Sequence, residues 1–230
     1  MSYFIELDGQ RLPITLKRNL RAKRLILKLD PKGSGVIVTL PKGVAERDGL
    51  KMVDKNKVWI ANQIAKQPTP VPFEDGAELL FQGEPHVLKH LPDARGLVWV
   101  EDGVIYVAGK AEFFERRLTD WLKKQAKQVI SAQAHELAAR LDKKIKRISV
   151  RDTVSRWGSC SSSGCLSFNW RLILAPSDIL TYVVAHEVAH LKHMDHSPAF
   201  WACVDSLGVD ARYGRHWLKK NGTFLQRNGR

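Results

Sequence analysis

The sequence of 230 residues predicts an α+β protein, with a basic, strand-rich N-terminal half ahead of a second half that carries long helical patterns. Short apolar runs fill the first 41 positions, as in half-buried β-strands. Apolar residues recur at helical spacing over residues 45–66 and 111–141. Strand and helix patterns therefore share one chain.

The N-terminal strands are predicted in pairs. Residues 3–7 and 12–16 flank Asp8 and Gly9, a dipeptide typical of a tight hairpin turn. Because proline has no backbone N–H, Pro13 predicts that the second strand lies at a sheet edge. A second pair is predicted over residues 25–40.

Residue patterns also predict a boundary and further strands and helices in the middle and C-terminal parts of the sequence. Prolines at alternate positions between 68 and 72 exclude helix and central strand, so they mark a boundary. Short strands are predicted over residues 79–107, then the long helix, then strands at 148–151 and 166–170. We predict three parts: a basic β-rich lobe at 1–67, a Pro-rich linker with hairpins at 68–110, and a lobe at 111–230. No internal repeat is evident in the sequence.

Charge and cysteine content limit the class of protein. The net charge is +13, and residues 1–66 hold 14 lysines and arginines against six acidic residues. Such an excess favours anionic partners, including nucleic acid through the N-terminal lobe, although a solvated basic surface explains it equally simply. Three cysteines do not make a disulfide framework. With no signal peptide and no apolar run that could span a bilayer, we expect a cytoplasmic protein without a membrane partner.

The chemistry is concentrated in one predicted helix that begins near Pro176 and Ser177. His186 and His190 lie four residues apart, so both imidazoles project from one face and can bind one metal ion. Glu187 follows the first histidine directly. Together they form the H-E-x-x-H pattern of two zinc ligands and a general base.

A catalytic zinc ion requires a third protein ligand. His196 precedes Ser197 and Pro198, which predict the start of a second helix, so the chain can fold back there beside the first helix. We predict His196 as the third ligand. His193 is the alternative, but it continues the first helix and would point past the metal.

These residues resemble a known family. The stretch from His186 to Trp201 is similar to the signature of YgjP-like metallopeptidase-type proteins, which are related to the SprT and WLM zinc proteases. The segments Arg156-Trp157-Gly158-Ser159-Cys160 and Asn169-Trp170-Arg171-Leu172 also match that family. The resemblance implies a zincin-like catalytic half, in which the active-site helix packs on a small mixed sheet, and it implies peptide-bond hydrolysis.

Zinc would lower the pKa of a bound water molecule to about 7, and Glu187 would accept its proton. In the related proteases, a peptide pairs with an edge strand beside the active-site helix, a role that the segment Arg156–Cys160 would take here. We expect Arg156, Trp157, Gly158 and Ser159 to contact substrate. Arg156 would stabilise an oxyanion or bind a phosphate, unless it is a structural residue that stacks on Trp157 or pairs with Asp152. Tyr213 is a further candidate for the oxyanion role.

Three functions are consistent with this site. The first is a zinc metallopeptidase that acts on a peptide or protein substrate. The second is a nucleoside triphosphate pyrophosphatase that uses the same metal, an activity that the resemblance to the YgjP-like family also implies and that the basic surface would suit. The third is a nucleic-acid-associated, SprT-like protease, which would require the basic N-terminal lobe to contact phosphates.

Overall fold

The computed structural model describes residues 3–7, 9–30, 35–66, 69 and 71–229. It confirms the α+β class. The chain divides into two compact units, Met1–Thr69 and Pro70–Arg230, and each has its own hydrophobic core.

The first unit contains a four-stranded mixed sheet. Its strands are β1 (Tyr3–Leu7), β2 (Gln10–Arg18), β3 (Ile26–Leu29) and β4 (Val36–Leu40), in the order β1-β2-β4-β3. Helices α1 (Glu46–Lys55) and α2 (Lys57–Ala65) follow. Apolar side chains at alternate strand positions form the core with both helices: Ile5, Ile14, Val36, Val38, Leu40, Val53 and Ile60. Both predicted strand pairs are confirmed.

The prediction that Pro13 marks an edge strand is wrong, because β2 lies between β1 and β4. The parallel pairing of β2 with β4 begins at Ile14, opposite Val36. Among the described residues, Pro13 therefore pairs with Phe4 of β1 alone, and its missing N–H removes no bond from the described ladder with β4.

The second unit begins with another four-stranded sheet, formed by β5 (Glu78–Phe81), β6 (Glu84–Leu91), β7 (Val98–Glu101) and β8 (Val104–Ala108). Its order is β5-β6-β8-β7, with a parallel central pair and two antiparallel outer pairs. The first sheet has the same arrangement. The two sheets thus repeat one topology that no sequence repeat indicates.

This second sheet shares its core with the long helix α3 (Phe114–Arg140). Leu79, Leu88 and Ile105 belong to the same apolar cluster as Leu118 and Leu122. Residues 70–110 therefore belong to the unit that contains the rest of the chain, and the structure has two units where the sequence suggested three parts.

The remaining strands form a small mixed sheet with the order β10-β11-β9. Strands β9 (Arg147–Arg151) and β11 (Cys165–Asn169) are parallel, whereas β10 (Gly158–Cys160) is antiparallel to β11 and lies at the edge. A short 3-10 helix, Trp170–Leu174, leads into α4 (Ser177–Ala189), α5 (Pro198–Ser206) and α6 (Ala211–Arg227). Across the described residues, no helix combines the length and apolar character needed to cross a membrane.

Candidate metal centre

Helix α4 carries the two histidines and the glutamate that the sequence singles out. Most of its residues are apolar and buried, so tertiary packing holds it in place. Because His186 and His190 are one turn apart, their rings lie on one face, with ring centroids 5.0 Å apart. The helix ends at Ala189, and His190 is its C-terminal cap.

A tight turn between α4 and α5 brings the third histidine back to the first. The side chain of Ser197 accepts a hydrogen bond from the Phe200 N–H at 3.4 Å and caps α5, and Pro198 opens that helix, as predicted. His196, directly before this cap, lies with its Nε2 3.2 Å from Nε2 of His186.

The three imidazoles converge closely enough to hold one metal ion. Ligand nitrogens of His186, His190 and His196 lie within 4.8 Å of one another. Four ligands placed tetrahedrally at zinc–nitrogen distances of 2.0–2.1 Å are separated by roughly 3.3–3.4 Å. The 3.2 Å between the first and third rings is close to that spacing, so these residues are compatible with a bound metal ion such as zinc.

His193, the alternative third ligand, has a different part in the structure. Its backbone carbonyl accepts a hydrogen bond from Nδ1 of His190 at 2.9 Å. This bond fixes the tautomer of His190 and leaves Nε2 free as a ligand, the arrangement that commonly orients metal-binding histidines.

Two aromatic side chains pack against the three histidine rings. Phe200, which is fully buried, packs against all three rings, with centroid distances of 4.5–5.0 Å. Trp201 lies 5.8 Å from both His186 and His196. Aromatic packing therefore helps to hold the three rings in place.

Glu187 lies against the edge strand β10. Only 6% of its surface is exposed, and a Cβ added at Gly158 would come within 2.5 Å of its Cγ and Oε1. Glycine at position 158 is what allows the strand and the carboxylate to approach. Burial raises the pKa of Glu187 to about 7, although the positive charge of Arg156 opposes the shift.

Burial also keeps two of the histidines neutral. It lowers the pKa of His186 to about 4, with further contributions from His190, His196 and Arg215. The pKa of His190 is lowered as well, mainly by burial. Neutral imidazoles are the form that binds a metal, so at neutral pH these two rings are already in that form.

The predicted substrate residues occupy different environments. Arg156 is exposed and acts electrostatically on Glu187. Asp152, considered as its partner, instead pairs with the buried Arg171. Trp157 is partly buried, and its ring packs beside Gly222 of α6.

The other two candidates are strand and helix residues. Ser159 is central in β10, between Gly158 and Cys160. Tyr213 is 48% exposed in the first turn of α6, where its N–H donates to the capping carboxylate of Asp210 at 2.8 Å.

Sequence reasoning did not single out Arg215 or Phe200. The guanidinium of Arg215 lies 4.7 Å from the centroid of the Trp201 ring, and its charge contributes to the lowered pKa of His186. The start of α5 was predictable from Ser197 and Pro198, which placed Phe200 one turn into that helix. Arg215 depends on how α6 packs, and no local pattern indicates that.

One family model matches most of the chain. The family model described as "YgjP-like, metallopeptidase domain" matches residues 23–221. The crystal structure of the metallopeptidase zymogen abylysin from Pyrococcus abyssi is similar over 43% of this chain and 97% of that chain, with 21% identity and a TM-score of 0.37. The comparison with curated proteins finds no match. Because the family model covers most of its length, the chain belongs to the YgjP-like metallopeptidase-domain family.

Proposed function

We propose that this protein is a zinc-dependent metallopeptidase, with His186, His190 and His196 as metal ligands and Glu187 as general base. The observation that carries the proposal is the convergence of three imidazole nitrogens within 4.8 Å beside a buried carboxylate. The helix α4 and the small sheet β9–β11 would then form a zincin-like catalytic unit.

When bound, zinc supplies Lewis-acid chemistry, which polarises a carbonyl group and makes a water molecule more acidic. Glu187 accepts the proton of the attacking water at its carboxylate and delivers it to the nitrogen of the leaving amine. Burial raises its pKa to about 7, a value that suits both transfers near neutral pH.

Strand β10 is the proposed platform for the peptide backbone. It lies at the edge of its sheet, and Gly158 lies against Glu187. An extended peptide that pairs with Ser159 and its neighbours would place a scissile bond near that carboxylate. Arg156 and Tyr213, both exposed, would stabilise the developing oxyanion. Trp157, whose ring packs beside Gly222 of α6, would help to hold β10 in place.

The family description implies a peptide substrate. None of the comparisons supports a nucleoside triphosphate or a nucleic acid as partner. The peptidase is therefore the function proposed.

Replacement of Glu187 by glutamine tests the proposal. Glutamine keeps the size and polarity but cannot accept a proton, so we expect unchanged zinc content and a loss of peptide hydrolysis of at least about a hundredfold. The measurement is the turnover of a fluorogenic peptide library by zinc-loaded wild-type and variant proteins. Near-wild-type turnover in the zinc-loaded variant would reject the general-base role.

A further inference from the structure

A small pocket opens beside the metal centre and shares a wall with it. Its volume is about 280 Å³, and it is lined by Lys143 and Lys144 from the loop after α3, by the turn Ser161–Gly164 after β10, and by His190. Leu191 and Met194 contribute apolar surface. The pocket therefore lies at the end of the proposed platform strand, next to a metal ligand.

Backbone hydrogen bonds hold the two polar walls in place. The Lys143 N–H donates to the Ala138 carbonyl at 2.9 Å, which ties the lysine loop to the end of α3. In the serine turn, the Gly164 N–H donates to the Ser161 carbonyl at 2.9 Å. The Lys146 N–H then joins the two loops by a 2.9 Å bond to the carbonyl of Gly164. The backbone of both walls is thus held by hydrogen bonds, and the two lysine side chains are exposed.

The polar lining has the chemistry of an anion site. Two lysines and three serines line it, and none of the described lining residues carries a carboxylate. The hydroxyls of Ser161 and Ser163 hydrogen-bond to each other at 2.9 Å, so the two lysines are the main source of positive charge. Ion pairs found in the described part of the chain do not involve either lysine. The nearest acids in sequence are the exposed Asp142 and Asp195, and the carboxylate of Asp195 accepts the Ser197 N–H at 3.3 Å.

The surroundings add to the positive charge. Lys146 and Arg147 continue the basic run that begins at Lys143. The pKa of Cys165 is lowered mainly by a hydrogen bond from Ser163, with smaller contributions from Ser161 and from the charges of Arg147 and Lys146. At about 280 Å³, the pocket is smaller than the roughly 300–1,000 Å³ of sites for drug-sized ligands. It suits one side chain or one chain terminus.

We propose that this pocket is a specificity site that binds a carboxylate of the peptide substrate, either an Asp or Glu side chain or the C-terminal carboxylate. The inference rests on the proposed peptidase function. A peptide that follows β10 past Glu187 would reach the lysines and serines at the end of that strand, where a carboxylate would gain charge-assisted hydrogen bonds.

Matched peptides test the site and separate the two sources of carboxylate. One series carries a single Glu, moved along an otherwise uncharged peptide with an amidated C-terminus, against the same series with Gln. A second pair contains Gln only and differs in a free or an amidated C-terminus. We expect the zinc-loaded wild-type protein to prefer one carboxylate position over its uncharged counterpart by about fivefold to tenfold in kcat/KM, and to lose that preference at high salt.

The variant Lys143→Glu/Lys144→Glu should abolish or invert this preference, while a control peptide without charges is still cleaved. Lys219→Glu/Lys220→Glu, on the exposed face of α6, makes the same change in net charge and should keep the preference. Circular dichroism spectra of both variants establish that they are folded. Binding of the same peptides to Glu187→Gln, measured by calorimetry, gives a readout that does not require turnover.

The outcomes separate this proposal from the proposed function. Cleavage of charged and uncharged peptides at equal rates would overturn the carboxylate pocket and leave the peptidase intact. A preference that survives the Lys143 and Lys144 replacements unchanged would also overturn it. If Glu187→Gln binds a carboxylate-bearing peptide more tightly than its uncharged counterpart, and the zinc-loaded wild-type protein cleaves neither, the result would support the pocket and count against the peptidase.

Discussion

Glu187 combines deep burial with a position next to His186, a proposed metal ligand. Its carboxylate lies against Gly158, and burial raises its pKa to about 7 from an ordinary value of 4.5. An ionised carboxylate at this site costs free energy unless a cation compensates it. The metal-free protein should therefore be sensitive to pH at this residue.

We expect the metal-free wild-type protein to lose stability relative to Glu187→Gln as pH rises from about 4.5 to about 7. The folded state retains the Glu187 proton over this range while the unfolded state releases it, so the free energy of unfolding falls with rising pH. The difference should reach on the order of 2–3 kcal/mol.

Urea unfolding of both proteins in the presence of a chelator, between pH 4 and 8, measures this difference. The lowered pKa values of His186 and His190 act in the opposite direction, because they add stability as pH rises. They are common to both proteins, so the comparison cancels them. A difference that does not vary with pH would show that Glu187 titrates normally.

At the scale of elements, the turn between α4 and α5 determines the position of His196. Ser197 caps α5 directly after this histidine, and Phe200, one turn later, supports all three rings. Metal affinity should therefore depend on the stability of the first turn of α5.

We expect Ser197→Ala to cost about 1 kcal/mol of stability and to weaken zinc binding. The matched control is Asp210→Ala, which removes the corresponding cap of α6. It should cost a similar amount of stability and leave zinc affinity nearly unchanged. Thermal unfolding and competition with a chromogenic chelator measure the two quantities. Equal zinc affinity in both variants would show that the position of His196 does not depend on the cap of α5.

Local signals were sufficient for many elements and for the grouping of His186, His190 and His196. Asp8 and Gly9 predicted the first hairpin, whose strands pair as expected, and Ser197 with Pro198 predicted the start of α5. The spacing of His186 and His190 placed both rings on one helical face because that relation is local.

Other features depend on contacts that sequence spacing does not encode. The parallel pairing of β2 with β4 made an internal strand of the one that contains Pro13. The approach of Gly158 to Glu187 joins residues 29 positions apart, and Arg215 reaches the site through the packing of α6. Such contacts follow from the tertiary structure, so residue patterns alone could not predict them.

At the scale of the whole molecule, all residues of the candidate site lie in the second unit. That unit has its own core, which includes strands β5–β8 as well as α3 and α4. The first unit has a separate core. Zinc binding should therefore not require the first unit.

We expect a fragment of residues 70–230 to fold and to bind zinc with an affinity within about threefold of the full chain, because its core is complete. Circular dichroism and chelator competition on the fragment and the full-length protein make the comparison. A fragment that is unfolded, or folded without zinc binding, would contradict the independence of the second unit.

The zinc content of three purified proteins, measured by mass spectrometry after dialysis, distinguishes His196 from His193 as the third zinc ligand. We predict one zinc ion per chain in the wild-type protein, close to one in a His193→Ala variant, and little or none in His196→Ala. The reason is that His196 contributes a ring nitrogen to the triad, whereas His193 contributes its backbone carbonyl. Full zinc content in His196→Ala together with loss of zinc in His193→Ala would contradict the proposed metal centre.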